Sequence, residues 1–355
     1  MPNTKIHPKF RLNDQQFNSI KELLHYAEKD LPEVFEFFSE WFSRKKYLTV
    51  YTSGSTGKPK AIRILKEHMI NSALATATYF DLDDEEISAL LCMSPNYIAG
   101  KMMLVRAMTS GWNLDVVTPV ANPLKARKMY DFTAMVPLQV YKSLDDIHKV
   151  RTIIIGGGAI SKPLQKKLLD ARPRVYATYG MTETVTHIAV KRLNWAKGIT
   201  NYYEVLPNIV LEKDERGCLV INAPTIPNKQ IVTNDIVRLI DDKHFTWLGR
   251  YDNIINSGGV KIIPESVEEK LSKVMEQRFF ISSVKDDALG QKVILIVEGE
   301  KQGNIDFSVV GKYEKPKEIF YTNQFTETKS GKINRKETLA AVLKDKATIK
   351  ETCAI

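Results

Sequence analysis

The run Tyr51-Thr52-Ser53-Gly54-Ser55-Thr56-Gly57-Lys58-Pro59-Lys60 lies between two apolar, β-prone runs, Tyr47-Leu48-Thr49-Val50 and Ala61-Ile62-Arg63-Ile64-Leu65. That order demands a strand, a polar glycine loop and a second strand in close succession. Gly54 and Gly57 let the loop take positive φ and bring backbone N–H groups close to a ligand. The hydroxyls of Thr52, Ser53, Ser55 and Thr56 add donors, and Lys58 and Lys60 add charge. Such a concavity of N–H groups suits an anion, above all a polyphosphate. It is not a Walker A loop, because two residues rather than four separate Gly54 from Gly57, and Pro59 rather than Ser or Thr follows Lys58. The bland alternative is a polar hairpin loop that holds no ligand.

At 355 residues, 43% of them hydrophobic, the chain can bury a large core and is expected to divide into two or more domains. No apolar run is long enough to span a bilayer. The start, Met1-Pro2-Asn3-Thr4-Lys5-Ile6-His7, lacks an apolar signal core, so a cytoplasmic protein is expected. Cys92, Cys218 and Cys353 form no Cys-x-x-Cys pair, which argues against a disulfide framework or a thiolate metal site. No His-Glu-x-x-His is present either, which argues against a zinc hydrolase. The net charge of +9 comes from lysines spread along the chain, with only short clusters such as that at 301–317. No groove-reading motif accompanies the charge, so a solvated surface and phosphate-bearing small ligands fit it better than nucleic acid.

Helical periodicity marks residues 12–30, a second helix opening at Pro32, and a third from about Lys66 to Phe80. An apolar strand from Ile87 to Met93 is broken by Ser94-Pro95-Asn96-Tyr97, and a helix follows to Gly111. Next come a strand at Leu114–Val117, a helix at Asn122–Met129, a strand at Phe132–Val136 and a short helix at Leu138–Leu144. The strand Arg151–Ile155 leads into Gly156-Gly157-Gly158-Ala159, and Ser161 caps a helix with Pro163 in its first turn. Strand, glycine turn, helix is βαβ grammar, although Ser161 holds the place of the third glycine in G-x-G-x-x-G. The strand Val175–Thr178 runs into Tyr179-Gly180-Met181-Thr182-Glu183-Thr184. Tyr179 offers a flat face for a purine, Thr182 a donor for a phosphate oxygen, and Glu183 a carboxylate for a hard cation. Residues 208–240 are β-rich and contain Thr233-Asn234-Asp235, which could equally be a hairpin turn. The polar, glycine-containing segment that begins at Trp247, ahead of an amphipathic helix from Pro264 to Val274, reads as a domain boundary. Beyond it, β-type runs at 280–284, 292–297 and 318–321 make a small α+β domain.

The loop at 51–60 resembles, residue for residue, the phosphate loop of the adenylate-forming enzymes, the superfamily of acyl- and aryl-CoA ligases, adenylation domains and luciferases. Three further motifs follow in that family's order: Tyr179–Thr184, Thr233-Asn234-Asp235 with Asn234 in place of glycine, and Thr328-Lys329-Ser330-Gly331-Lys332-Ile333-Asn334-Arg335. The resemblance implies an α/β fold with a large N-terminal domain of layered mixed sheets and helices (1–250) and a small mobile α+β lid (251–355). It implies Lys332, Thr182 and Glu183 as catalytic residues, with Glu183 on Mg²⁺. ATP would be held by Thr52, Ser53, Gly54, Ser55, Thr56, Gly57 and Lys60, by Gly157, Gly158, Tyr179 and Gly180, and by Asp235 and Arg250. Gly258, Gly259 and Lys261 would meet the pantetheine arm of coenzyme A, and Asp252 would be the hinge. Tyr97, Arg106 and Gly156 would line the acyl pocket, although Arg106 could instead be a helix-surface charge.

The runs Tyr179–Ala189 and Gly156–Ile160 look most like the o-succinylbenzoate–CoA ligases of menaquinone synthesis, which implies an aromatic carboxylate substrate. A dianionic acid would need a cationic anchor, for which Arg106 and Lys142 both stand open. The family's longer N-terminal region has only a short counterpart before Tyr51, so the pocket wall and any homodimer surface are left open. Other readings are another acyl- or aryl-CoA ligase, an adenylation domain loading a carrier protein, and a non-catalytic nucleotide-binding protein.

Overall fold

The structure, a computed structural model, describes residues 6–51, 61–83, 86–125, 128–194, 201–226, 230–327 and 333–344, and the backbone of 349–352. The chain forms two compact units. One comprises Met1–Glu212, Ile221–Ile231 and Ile240–Phe245, and the other Lys213–Val220, Val232–Leu239 and Thr246–Ile355.

The first unit opens with β1 (Arg11–Leu12), β2 (Gln15–Gln16), α1 (Ile20–Asp30) and α2 (Pro32–Trp41). The helix expected from residue 12 starts later. Asn13 and Asp14 take positive φ, 51° and 64°, and turn β1 back on β2, while Ser19 caps α1 by accepting from Glu22 N–H at 3.2 Å. Next, β3 (Tyr47–Tyr51) and β4 (Ala61–Leu65) pair antiparallel, from Tyr47↔Leu65 to Tyr51↔Ala61. The glycine loop between them lies outside the described residues.

The unit continues through α3 (Lys66–Phe80), β5 (Ser88–Leu91), α4 (Ile98–Ser110), β6 (Asn113–Val116), β7 (Tyr130–Met135) and α5 (Pro137–Lys142). It then runs through β8 (Val150–Ile155), α6 (Lys162–Leu168), β9 (Arg174–Gly180), β10 (His187–Arg192) and β11 (Tyr203–Val205). Its sheet has the order β11-β10-β9-β8-β7-β5-β6-β1-β2. The strands β6, β5, β7, β8 and β9 are mutually parallel, and β10 and β11 extend them antiparallel. The sequence of β8 explains its central place: every residue but Arg151 is buried, as a strand covered on both faces requires. Ile153, Ile155, Val175 and Ala177 pack with Val140 of α5 and with Leu164 and Leu168 of α6. Each such aliphatic side chain contributes about 1.5–3 kcal/mol relative to exposure.

The helix expected at Asn122–Met129 does not form among the described residues there. Asn122 Oδ1 accepts from Leu124 N–H at 3.1 Å and from Ser143 Oγ at 3.0 Å, and its Nδ2 donates to Asp146. The side chain satisfies backbone that a helix would otherwise pair, so a turn wins.

The strands β12 (Val210–Lys213), β13 (Cys218–Asn222), β14 (Ile231–Leu239) and β15 (His244–Arg250) follow in sequence and are neighbours in that order. The second unit is completed by β16 (Ile255–Ser257), β17 (Val260–Ile262), α7 (Pro264–Leu271), β18 (Phe279–Asp286), β19 (Gly290–Glu298), β20 (Glu318–Thr322), α8 (Arg335–Lys344) and β21 (Ile349–Thr352). Here β19 is the organising strand, antiparallel to β18 and parallel to β20. Its alternate residues face two cores. Val293, Leu295 and Val297 pack with Val267 and Leu271 of α7, whereas Ile294 and Ile296 pack with Phe280, Phe325 and Val342 of α8. Arg335 clasps Glu268 through two hydrogen bonds of 2.7 Å, which ties the start of α8 to α7. Among the described residues, no helix is long and apolar enough to cross a membrane.

Candidate active site

Because β8 and β9 run parallel, Ile155 opposite Ala177, their carboxyl ends leave the sheet on the same edge. In open α/β sheets that edge is where ligands bind. Gly156, Gly157 and Gly158 leave β8 there, Tyr179 and Gly180 end β9, and Thr182 and Glu183 follow in the next turn. Gly156 N–H still donates to Met135 O at 3.1 Å, and a Cβ on Gly156 would stand 2.8 Å from Thr178 Oγ1. Glycine therefore lets the two exits lie side by side.

The turn from β9 to β10 is tightly held. Thr184 Oγ1 accepts from Met181 N–H at 2.9 Å and donates to Thr186 O at 2.7 Å. Val185 sits at φ 68°, a costly conformation for a β-branched residue. A Cβ on Gly180 would lie 2.4 Å from Thr186 O. The result is a one-turn helix at Thr182–Thr184 that leaves Thr182 half-buried and the Glu183 carboxylate exposed. Beside it, the Tyr179 ring meets Phe245 edge-on at 5.1 Å and Tyr203 at 5.7 Å. Tyr203 in turn stacks on Phe245 and carries the Lys191 ammonium 5.2 Å over its face. Burial pushes the Tyr203 phenol up to about 12, so it stays neutral.

The same unit contains an unusual buried charge. Tyr97 begins α4 and is 66% exposed, whereas Arg106, two turns on, is 2% exposed. The surface-charge alternative for Arg106 is thereby excluded. Its Nη1 has only the Met103 sulfur at 3.8 Å, and Nε and Nη2 have no hydrogen-bond partner. Burial pushes the guanidinium pKa down to about 9, which leaves it charged at neutral pH. His187, the first residue of β10, is 4% exposed, and its Nε2 has no partner either. Burial and then the Arg106 charge hold the imidazole well below its ordinary value, so it is neutral. Lys142, the other candidate anchor, is exposed at the end of α5 with its ammonium 5.9 Å over the Tyr141 ring.

The second unit gathers another expected group. Asp235 is buried within β14, which rules out the hairpin-turn alternative for Thr233-Asn234-Asp235. Asp235 Oδ1 accepts from Trp247 Nε1 at 3.1 Å and lies 3.8 Å from Arg250 Nε. Arg250 Nη2 reaches Asp252 at 3.2 Å, and Asn234 Nδ2 donates to the same carboxylate at 3.1 Å. Gly258 and Gly259, at φ 58° and 80°, form the two-residue turn between β16 and β17, with Lys261 exposed on β17.

Residues 39–209 match the AMP-binding enzyme family. A solved structure described as an acyl-CoA synthetase (AMP-forming)/AMP-acid ligase II-like protein, from Dyadobacter fermentans, is 35% identical, with 87% of this chain and 93% of that one covered and a TM-score of 0.60. The chain belongs to the AMP-binding enzyme family. Its class is that of the AMP-forming acid–thiol ligases. A 2-succinylbenzoate–CoA ligase of Bacillus cereus is 25% identical over 92% of this chain and 77% of its own length. The counterpart of Lactococcus lactis is 26% identical over 81% and 69%. An o-succinylbenzoate coenzyme A synthetase of Bacillus subtilis, solved in complex with ATP and magnesium ion, shares the fold at 18% identity and a TM-score of 0.70, with 92% and 83% covered.

For an AMP-binding enzyme the described residues place Gly156–Gly158, Tyr179, Gly180, Thr182 and Glu183 on one sheet edge. They place Asp235, Arg250 and Asp252 in one hydrogen-bonded cluster. The loop residues Thr52, Ser53, Gly54, Ser55, Thr56, Gly57 and Lys60, and Lys332, lie outside the described residues. Sequence reasoning assigned no role to His187 or Trp247. A lone histidine in a β-run carries no signal, and Trp247 shows only as an aromatic near Arg250. Among the described residues no cluster of three or more His, Cys, Asp or Glu could hold a metal unaided. The single exposed carboxylate of Glu183 suits Mg²⁺, which keeps waters and phosphate oxygens and takes few protein ligands.

Proposed function

We propose that the protein joins o-succinylbenzoate to coenzyme A, using ATP and releasing AMP and pyrophosphate. The carrying observation is the buried, unpaired Arg106 cation, which suits an acid with a second carboxylate beyond the one activated. The names of the Bacillus and Lactococcus relatives support the same substrate.

In the first step a carboxylate oxygen attacks the α-phosphorus of ATP, the bond to the β-phosphate bridge breaks, and pyrophosphate departs. Charge builds on the non-bridging oxygens, so positioned donors are the main catalytic device. Thr182 donates to the α-phosphate, and Lys332 adds its ammonium. The hydroxyls and N–H groups of the 52–60 loop hold the β- and γ-phosphates. Tyr179, Gly157 and Gly158 flank the purine, and Asp235 accepts from the ribose hydroxyls with Arg250 beside it. Mg²⁺, when bound at Glu183, offsets phosphate charge. In the second step the thiol sulfur attacks the acyl carbon and AMP leaves. Residues 251–355 act as a lid that turns about Asp252, exchanging Lys332 for the Gly258-Gly259 turn and Lys261.

Pyrophosphate exchange into ATP, measured without coenzyme A over a panel of carboxylic acids, tests the substrate. We expect exchange to be fastest with o-succinylbenzoate. Exchange tenfold faster with benzoate or a fatty acid would overturn that choice while leaving the ligase class intact.

A further inference from the structure

Among the described residues of the first unit, three buried nitrogens lack a hydrogen-bond partner: Nε and Nη2 of Arg106 and Nε2 of His187. Orphaned donors at full burial are rare, and a buried cation without a counter-ion is rarer. The two residues come from different elements, α4 and β10, and the Arg106 charge acts electrostatically on the His187 ring. An isolated guanidinium destabilises the fold, and a second unpaired polar atom adds to the cost.

The ring's tautomer is set by which way the bond at its other nitrogen runs. Nδ1 lies 3.4 Å from Thr186 Oγ1. A hydroxyl donating there leaves the single proton of a neutral imidazole on Nε2, the orphaned atom. In that tautomer His187 presents an N–H, and an N–H together with the Arg106 charge that acts on it suits an anion. Its position is fixed by the catalytic turn: His187 pairs across the ladder with Gly180, and the register shifts between His187 and Ala189. That irregularity is a common way of re-aiming a side chain.

We infer that His187 is a specificity residue, which donates through Nε2 to the carboxylate of the acid substrate that is not adenylated, while Arg106 neutralises its charge. This rests on the acid–thiol ligase reading. It adds a residue that selects dicarboxylates over monoacids and couples the seat of the second carboxylate to the turn that carries Thr182 and Glu183.

The test compares o-succinylbenzoate with 4-oxo-4-phenylbutanoate and 2-butanoylbenzoate, each of which lacks one of its two carboxylates, in pyrophosphate exchange. The wild type should favour the diacid. In His187→Leu the ratio of kcat/KM for diacid over monoacid should fall about 10- to 100-fold, carried by KM, as expected for loss of a hydrogen bond to a charged group. His187→Gln, which keeps a donor, should recover part of the ratio. A purely structural role would lower both acids equally and leave the ratio unmoved, which overturns the inference. So would a wild type that turns over a monoacid as well as the diacid, and this result leaves the ligase class standing. If another dicarboxylate is preferred, the substrate named above fails, and the His187 comparison made on that acid and its monoacid decides the inference.

Discussion

Under the proposed function, Arg106 sets fold stability against ligand binding. Its charged group is buried on α4 with two unpaired nitrogens, and among the described residues no carboxylate offsets the burial. Replacing even paired buried charges by well-packed apolar side chains of similar volume is often neutral or stabilising, by about 1–4 kcal/mol, and an unpaired charge has less to lose. In Arg106→Leu we therefore expect a raised Tm together with an approximately 100-fold lower kcat/KM for o-succinylbenzoate, mostly through KM. Calorimetry and pyrophosphate exchange read the two effects separately. A fall in Tm with unchanged KM would make Arg106 a structural residue. Only part of this was legible in the sequence. A resemblance marks Arg106 as a pocket candidate, yet its burial depends on which way α4 faces, and apolar residues surround it on the helix. Lys142 is equally cationic on paper and lies in solvent. His187 gives no sign at all, because its meaning comes from a nitrogen that finds no partner in three dimensions.

Among the elements, the long periodic ones were legible and the short ones were not. The helix Lys66–Phe80 follows from apolar spacing, and the expected strand Val175–Thr178 lies within Arg174–Gly180. At residues 12–16 and 122–129 single side chains, Asn13, Asp14 and Asn122, redirect the backbone against the surrounding periodicity. The Gly258-Gly259 hairpin was legible as a pair of glycines, and its geometry shows why both are needed. A Cβ on Gly259 would meet nothing within 4 Å, so space is not the constraint; φ of 80° is. Gly259→Ala should therefore cost about 1–2 kcal/mol in local turn stability. We expect it to slow thioester formation from supplied acyl-adenylate several-fold while adenylate formation keeps its rate. Equal slowing of the two half-reactions would contradict the role given to this hairpin.

At the scale of the molecule, the chain is two units with separate cores, and each holds part of the expected constellation. The sheet edge at Gly156–Gly158 and Tyr179–Glu183 belongs to one, and the Asp235–Arg250–Asp252 cluster to the other. Motif order along the sequence was enough to anticipate the α/β class, because the strand, glycine turn and helix grammar of β8 and α6 is local. The division into units was harder to read: the strands β12, β13, β14 and β15 each contribute residues to both, and no break in composition marks that. The central claim is that both units serve one AMP-forming ligation. The direct measurement mixes purified protein with o-succinylbenzoate, ATP, Mg²⁺ and coenzyme A, and quantifies AMP and acyl-CoA together by chromatography. We expect equal amounts of the two, each dependent on all four components. Formation of ADP in place of AMP, or of AMP without thioester, would contradict the claim.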